Sequence, residues 1–211
     1  MVDRNPPSPH VRNPNGRPAA ALLETPSMFI ETEPTPNPAT LKFLPGRAVT
    51  GGGAIDFPDT VQAERSPLAQ ALFAQPGVAG VFLGADFITV TKSADADWSD
   101  LRGRVLVALM GFFTSGQPVL TGAVTDDHDH EADQDDEIVQ QIKELLDTRV
   151  RPAVAQDGGD ITFHGFQDGI VYLHMKGACS GCPSSTATLK MGIENLLKHY
   201  VPEVVEVQAA Q

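Results

Sequence analysis

Two stretches of periodic hydrophobic residues are separated by a polar segment, and each predicts a mixture of strands and helices. In the first stretch, from Met28 to Ser115, short runs rich in Val, Ile, Phe and Thr have the composition of strands. The strands are predicted at residues 29–33, 40–44, 77–83 and 87–92. Gly84-Ala85-Asp86 separates the last two, so we expect a hairpin there. Pro34, Pro36 and Pro38 impose an extended or turning segment between the first two.

Two helices are predicted in the same stretch. Ser66 and Pro67 have the pattern of an N-cap followed by proline at the first helical position, so a helix should run from there to about Ala74. Farther along, apolar residues recur at the spacing of one helical face and predict a second helix, namely Trp98, Leu101, Val105, Leu109 and Phe112. This region, residues 28–115, contains no cysteine and offers no candidate chemistry of its own.

The second stretch, residues 137–211, begins with acidic residues that favour a helix N-terminus. A hydrophobic stripe then runs through Ile138, Ile142, Leu145, Leu146, Val150 and Val154, and because it continues past Pro152 we predict a kinked helix ending at Asp157-Gly158-Gly159. Residues 161–166 and 170–175 should form a hairpin, and a second helix carries Leu189, Ile193, Leu196, Leu197 and Tyr200. With a last strand at 204–207, the order is α-β-β-α-β.

The predicted fold class is therefore α+β, with two small domains joined by a flexible acidic linker at residues 116–136. The formal net charge is −12, and eight acids lie between Asp126 and Glu137 without a single Lys or Arg. A self-repelling, solvated linker explains this run better than weak metal binding by His128 and His130. The charge balance argues against nucleic acid and anionic membranes as partners, and no apolar run reaches the length of a membrane span.

Residues 1–27 contain six prolines and little periodicity, which predicts a disordered extension. Arg4, Arg12 and Arg17 would suit a transit peptide, but the prolines oppose the amphipathic helix that such peptides form. A third possibility is that translation starts at Met28. The N-terminus has no hydrophobic segment typical of a secretory signal, so we expect a reducing compartment.

The candidate chemistry lies in the turn Met175–Ser185, which holds Cys179 and Cys182, the two cysteines of the chain. A C-x-x-C spacing lets two sulfurs point the same way from one turn. Pro183 suits the first position of the next helix, whose unpaired N–H groups and dipole favour negative charge nearby. We therefore expect both thiolates to form more easily than in a free cysteine.

Four interpretations of the pair remain open from the residues alone: an iron–sulphur cluster site, a redox-active dithiol, a structural zinc site, or an inert pair. Clusters and structural zinc need four protein ligands, and two cysteines are present. His164, His174 and His199 are candidates for the missing ligands, although isolated histidines are usually packed or solvated. Two copies of the chain, each offering Cys179 and Cys182, would complete a four-cysteine site on a two-fold axis.

A thioredoxin-like dithiol oxidoreductase is the main alternative, because such folds also place C-x-x-C between a strand and a helix. Against it, thioredoxin-like folds contain βαβ units, whereas the strands here are linked by a hairpin. The proline also follows the second cysteine instead of lying between the two.

Longer motifs now reveal a resemblance. The segments RPAVAQDGGDI (151–161) and GACSGCPSSTATLKMGIENLL (177–197) resemble the C-terminal domain of the NifU family, the Nfu-type iron–sulphur carriers. The segments MFIETEPTPNPATLKFLPG (28–46), SPLAQALF (66–73) and GVFLGADFITVTK (80–92) resemble the N-terminal domain of Nfu proteins. Residues 1–27 fall outside the resemblance. The chain also departs from full-length NifU, because it lacks the cysteine-bearing scaffold and ferredoxin domains of that protein.

The resemblance implies a non-enzymatic carrier in which Cys179 and Cys182 of two protomers bind a [4Fe–4S] cluster. It also implies the partners: a second copy of the chain, upstream assembly machinery, and recipient apoproteins that take the cluster. Bacterial cytoplasm is the expected compartment, with the mitochondrial matrix as the alternative.

Overall fold

The computed structural model describes residues 29–121 and 137–210. The predicted disordered extension and most of the predicted acidic linker lie outside these residues. The described residues form two α+β units, each with its own sheet and hydrophobic core, so the predicted fold class is confirmed.

The N-terminal sheet has five antiparallel strands in the order β1-β2-β5-β4-β3. The strands are β1 (Glu31–Pro34), β2 (Thr40–Leu44), β3 (Ile55–Phe57), β4 (Val78–Leu83) and β5 (Ile88–Lys92). All four predicted strands are present within one or two residues, and β4 and β5 form the predicted hairpin. Strand β3 was not predicted, because three residues are too few to show an alternating pattern. It pairs with β4 at the sheet edge.

Helices α1 (Pro67–Phe73) and α2 (Trp98–Ser115) cover one face of this sheet and complete its core. The predicted N-cap of α1 is confirmed, since the Ser66 hydroxyl accepts a 3.1 Å hydrogen bond from the Ala69 N–H. Asp97 caps α2 in the same way through the Ser99 N–H, at 2.7 Å. All five residues of the predicted α2 stripe except Trp98 are buried, and Trp98 packs against the same core.

The C-terminal unit starts with a continuous helical path that is irregular at one point. Helix α3 (Glu137–Leu145) leads into a π-helical turn (Leu146–Val150) and then α4 (Arg151–Gln156). The predicted continuation past Pro152 is confirmed, and the irregularity lies just before the proline, which lacks the N–H that a regular helix would use.

The spacing of the hydrophobic stripe explains the π-helical turn. Buried residues from Ile142 onward recur every four positions, through Leu146, Val150 and Val154. In an α-helix of 3.6 residues per turn, a spacing of four would rotate the stripe by about 40° at each step. A wider π turn cancels part of this drift, so the stripe keeps facing the sheet.

The second sheet has three strands in the order β6-β7-β8: β6 (Gly159–Gln167), β7 (Ile170–Gly177) and β8 (Glu206–Ala209). β6 and β7 form the predicted hairpin, with Asp168 and Gly169 both at positive φ in the loop. Helix α5 (Pro183–Tyr200) crosses over to β8, which pairs parallel with β7. The predicted last strand is shifted by two residues, because Val204 closes a turn onto the Val201 carbonyl.

Among the described residues, no helix is long and apolar enough to cross a membrane.

An ion pair joins helix α4 to strand β6 next to the candidate site. Arg151 at the start of α4 forms two 2.9 Å hydrogen bonds to the two carboxylate oxygens of Asp160, which is buried in β6. Arg151 also contacts Asp147 at 3.1 Å. These carboxylates hold the pKa of Arg151 above its ordinary value. The pair fixes α4 to β6 across the Asp157–Gly159 turn.

We expect Arg151→Ala to lower the free energy of unfolding by about 2–3 kcal/mol, because Asp160 would keep a buried charge without its partner. Urea denaturation followed by circular dichroism measures the change. Lys198→Ala, which removes an exposed pair with Glu194, is the control and should cost about 0.5 kcal/mol or less. Equal losses in the two variants would contradict a structural role for the Arg151–Asp160 pair.

Candidate functional site

The two cysteines lie on a short turn that is fixed at both ends. β7 ends at Gly177, whose φ of 63° is in the left-handed region. The Gly177 carbonyl accepts hydrogen bonds from the Ser180 N–H at 3.1 Å and the Ser180 hydroxyl at 2.9 Å. At the other end, the Thr186 hydroxyl donates to the Cys179 carbonyl at 3.0 Å. We call residues 177–182 the cysteine turn.

The two thiols have different surroundings. Cys179 is 6% exposed and belongs to the hydrophobic core of the C-terminal unit. Cys182 is half-buried at the N-cap of α5, with its Sγ 3.3 Å from the Ser184 Oγ. The two cysteines are not joined by a disulfide.

The prediction of an easily formed thiolate is wrong for Cys179. Burial, followed by repulsion from the carboxylates of Asp157 and Asp160, raises the pKa of this thiol to about 12. The helix N-terminus does not compensate, because Cys179 precedes it by three residues and its sulfur packs inward. This environment disfavours Cys179 as the attacking thiol of a redox dithiol, because attack requires an accessible thiolate.

A second turn, Gly158-Gly159, packs against the cysteine turn. The Ala178 N–H donates to the Gly158 carbonyl at 3.1 Å. A Cβ atom at Gly159 would lie 2.5 Å from the Cys179 sulfur and 2.7 Å from the Lys176 carbonyl oxygen. Only glycine allows the two chain segments to approach this closely, so the position of Cys179 depends on the Asp157–Gly159 segment that precedes β6.

Three side chains of the N-terminal unit also reach this region. The Asn37 amide donates to the Ser180 carbonyl at 3.0 Å, and the Lys42 ammonium donates to the Gln156 carbonyl at 2.9 Å. The Asp56 carboxylate lies close enough to the Gly177 backbone N–H for this group to act on its pKa. Burial raises the pKa of Asp56, while the nearby Gly177 N–H and the charge of Lys176 lower it in part.

Sequence analysis did not identify these three residues or the Arg151–Asp160 pair. Lys42 gives one signal in retrospect, since it occupies a strand position between apolar neighbours, but nothing in the sequence indicates what it contacts.

The histidines considered as extra ligands do not join the cysteines. His164 and His174 contact each other across β6 and β7, with 3.1 Å between Nδ1 and Nε2. His199 contacts the Tyr200 ring edge-to-face, at the end of α5 opposite to Cys182. Within residues 29–121 and 137–210, no three metal-ligating side chains of His, Cys, Asp or Glu come together. The cysteine turn therefore offers two sulfur ligands from one chain.

Comparison with known families now adds to this geometry. The model described as "NifU-like domain" matches residues 142–208, and the one described as "Scaffold protein Nfu/NifU N terminal" matches residues 30–116. A human protein, "NFU1 iron-sulfur cluster scaffold homolog, mitochondrial", is 50% identical over 90% of this chain and 75% of its own length. The chain belongs to the Nfu-type NifU family.

Further matches carry similar descriptions. A protein of Drosophila sechellia with the same description as the human one is 53% identical over 86% of this chain, which spans 65% of the length of that relative. Among solved structures, a NifU-like protein from Saccharomyces cerevisiae matches with a TM-score of 0.43 and 25% identity, over 53% of this chain and 100% of that one. A scaffold is not an enzyme, so the prediction of a non-enzymatic protein is confirmed for the family.

We expect Gly159→Ala to lower the free energy of unfolding by about 1–3 kcal/mol, because its methyl group would collide with the Cys179 sulfur and the Lys176 carbonyl. Gly165→Ala in the same strand is the matched control, since a Cβ there meets nothing within 4 Å. Thermal or urea unfolding measures both. If the two variants are equally stable, the close approach at Gly159 is not required.

The histidine pair predicts a pH dependence of stability. Burial, followed by the charges of His164 and Lys176, lowers the pKa of His174 below its ordinary value of 6.5. The unfolded chain therefore takes up this proton at a higher pH than the folded chain, and the free energy of unfolding should fall as pH drops through 6.5.

His174→Asn and His164→Asn should each flatten this dependence, since the first removes the titrating group and the second removes a cause of its shift. Urea denaturation at about pH 7.5, 6.5 and 5.5 measures the slope. An unchanged slope in His174→Asn would show that this residue does not produce the effect.

Proposed function

We propose that this protein is an iron–sulphur carrier that binds a [4Fe–4S] cluster between two copies of the chain and transfers it to recipient apoproteins. Cys179 and Cys182 of each copy provide the four thiolate ligands. The observation that carries the proposal is two cysteines on one turn, in a family whose relatives are named iron–sulfur cluster scaffolds. Because a cluster needs four ligands, a second copy of the turn supplies the other two.

The surroundings of the turn suit a bulky inorganic group. The residues between and beside the cysteines are small, namely Ala178, Ser180 and Gly181. A Cβ at Gly181 would meet nothing within 4 Å, so the outer side of the turn is open at this residue.

Transfer is a ligand exchange without a change of oxidation state. Four recipient thiolates form bonds to the iron atoms as the four bonds to Cys179 and Cys182 of the two protomers break. The carrier thiolates then take up protons released by the recipient thiols. A cluster on a dimer axis is easier to release than one enclosed by a single chain, because separation of the protomers removes half of its ligands.

The comparisons also bear on where the protein works. The human and Drosophila relatives carry "mitochondrial" in their names, and neither supports the bacterial cytoplasm. We therefore favour the mitochondrial matrix, the second of the two predicted compartments. The proposed partners are upstream assembly proteins and apo iron–sulphur proteins of that compartment.

Anaerobic reconstitution tests the proposal. The wild-type chain should take up about two iron and two sulfide per chain, gain visible absorption and become a dimer. Cys182→Ser should lose the cluster and stay monomeric, yet unfold at nearly the same temperature, because Cys182 lies outside the core. Ser184→Ala, which removes the hydroxyl beside the Cys182 sulfur, is the control and should keep the full iron content.

A monomer that holds a complete cluster would rule out the bridging site. Normal iron content in Cys182→Ser would place the cluster elsewhere in the chain.

A further inference from the structure

The N-terminal sheet has a second face, which points away from α1 and α2. Side chains alternate between faces along a strand, so Val81 and Val90 enter the core while Lys42, Phe82 and Thr89 project to the other side. An uncovered face would expose them to water. Instead, Lys42 is 7% exposed, and Phe82 and Thr89 are each 1% exposed.

Gly177 of the cysteine turn and Gly158 of the neighbouring turn lie directly on this face. A Cβ at Gly177 would be 2.9 Å from the Phe82 ring. A Cβ at Gly158 would be 2.7 Å from Thr89 Cγ2, and 3.6 Å from Lys42 Cβ. The glycines thus let the cysteine turn and the turn beneath it fit against the sheet without any side chain between them.

Polar contacts around these glycines recognise backbone groups. Asn37 donates to the carbonyl of Ser180, the residue after Cys179, and Lys42 donates to the carbonyl of Gln156. The Asp56 carboxylate lies beside the Gly177 N–H. Phe82, Lys42, Asn37, Asp56 and Thr89 together form what we call the docking face.

Contacts within the N-terminal unit fix the side chains of the docking face in place. Phe82 lies outside the N-terminal core and has Phe87 as an aromatic neighbour, at 5.9 Å between ring centroids. Lys42 is held by Glu33 at 3.3 Å and by the Phe87 ring at 5.0 Å, besides the Gln156 carbonyl. A buried ammonium is costly unless it is paired in this way. The loop that carries Asn37 is also fixed, since the Trp98 indole donates to the Pro38 carbonyl at 3.2 Å.

We infer that the docking face holds the cysteine turn of the same chain, and that this docked arrangement and the cluster-bridged dimer exclude each other. The inference rests on the proposed function. Asn37 binds the carbonyl between the two cysteines, where a second copy of the turn has to approach to share a cluster. Pro36, beside it, lines the apolar groove between α4 and α5 next to Ser184.

The docked arrangement is suited to release. Among the described residues, the Thr89 hydroxyl is buried at the docking face without a hydrogen-bond partner, which weakens the contact. Among the described residues, Asn37 and Lys42 donate to backbone carbonyls there, and Asp56 lies beside the Gly177 N–H. By reciprocity, whatever favours docking must disfavour cluster-linked dimerisation by the same factor.

Two substitutions of opposite effect test the inference in the full-length chain. Asn37→Asp keeps the oxygen that accepts from the Ala39 N–H at 3.0 Å. It also places a second, repelling oxygen opposite the Ser180 carbonyl, so it should weaken the contact between the docking face and the cysteine turn. Thr89→Val keeps the side-chain shape and removes the unpaired hydroxyl, so it should stabilise the docked arrangement. Gln62→Glu, an exposed change of equal charge in the same domain, is the control.

The readout is hydrogen exchange of the Gly177 amide in the metal-free chain, measured by NMR. Compared with wild type, we expect about 5- to 10-fold faster exchange in Asn37→Asp and about 5-fold slower exchange in Thr89→Val. The Ala210 amide, bonded to the Leu173 carbonyl within the C-terminal unit, is the internal reference and should not change. Rates that do not move in these opposite directions overturn the inference.

Cluster-linked dimerisation provides the second measurement. Asn37→Asp should form the loaded dimer at a lower protein concentration than Gln62→Glu, and Thr89→Val at a higher one. If exchange shifts as expected but dimerisation does not, the two states do not compete and the inference is overturned. If the wild-type chain takes up no cluster, the proposed function fails, while the exchange rates still decide whether the cysteine turn docks.

Discussion

The close approach of two backbone segments beneath the cysteines is the constraint on which the site depends. Gly158 and Gly159 lie so near the cysteine turn that a side chain at Gly159 would occupy the space of the Cys179 sulfur. The same segment places Asp160 where Arg151 can bind it with both carboxylate oxygens. Helix α4, strand β6 and the cysteine turn are thus fixed to one another through this one short segment, and the rest of the C-terminal unit supports them.

This arrangement leaves an unusual surface, in which main-chain groups and not side chains are presented to a partner. The N-terminal unit responds with long or polar side chains that reach those groups, chiefly Asn37, Lys42 and Asp56. Contacts of this kind depend on the shape of the turn more than on the identity of its residues. Burial of Cys179 also protects its thiol, since a protonated, enclosed thiol resists oxidation.

The sequence predicts the regular elements well because their signals are local. The Ser66 cap, the α2 stripe and the hairpin at Gly84-Ala85-Asp86 each depend on neighbouring residues, and each is present. It does not predict β3, which is too short for a pattern, or the environment of Cys179. That environment depends on Gly159, Asp157 and Asp160, which approach the thiol only after folding. Contacts between the two units, such as Asn37 with Ser180, join residues 143 positions apart and have no local signal.

The burial of Phe82 has a consequence for how the chain matures. During synthesis the N-terminal domain leaves the ribosome first, and domains generally fold as they emerge. Phe82 is covered by Gly177, which is synthesised after the whole N-terminal domain. Between the folding of this domain and the emergence of Gly177, the nascent chain therefore presents a folded sheet with an uncovered aromatic side chain, the kind of patch that chaperones bind.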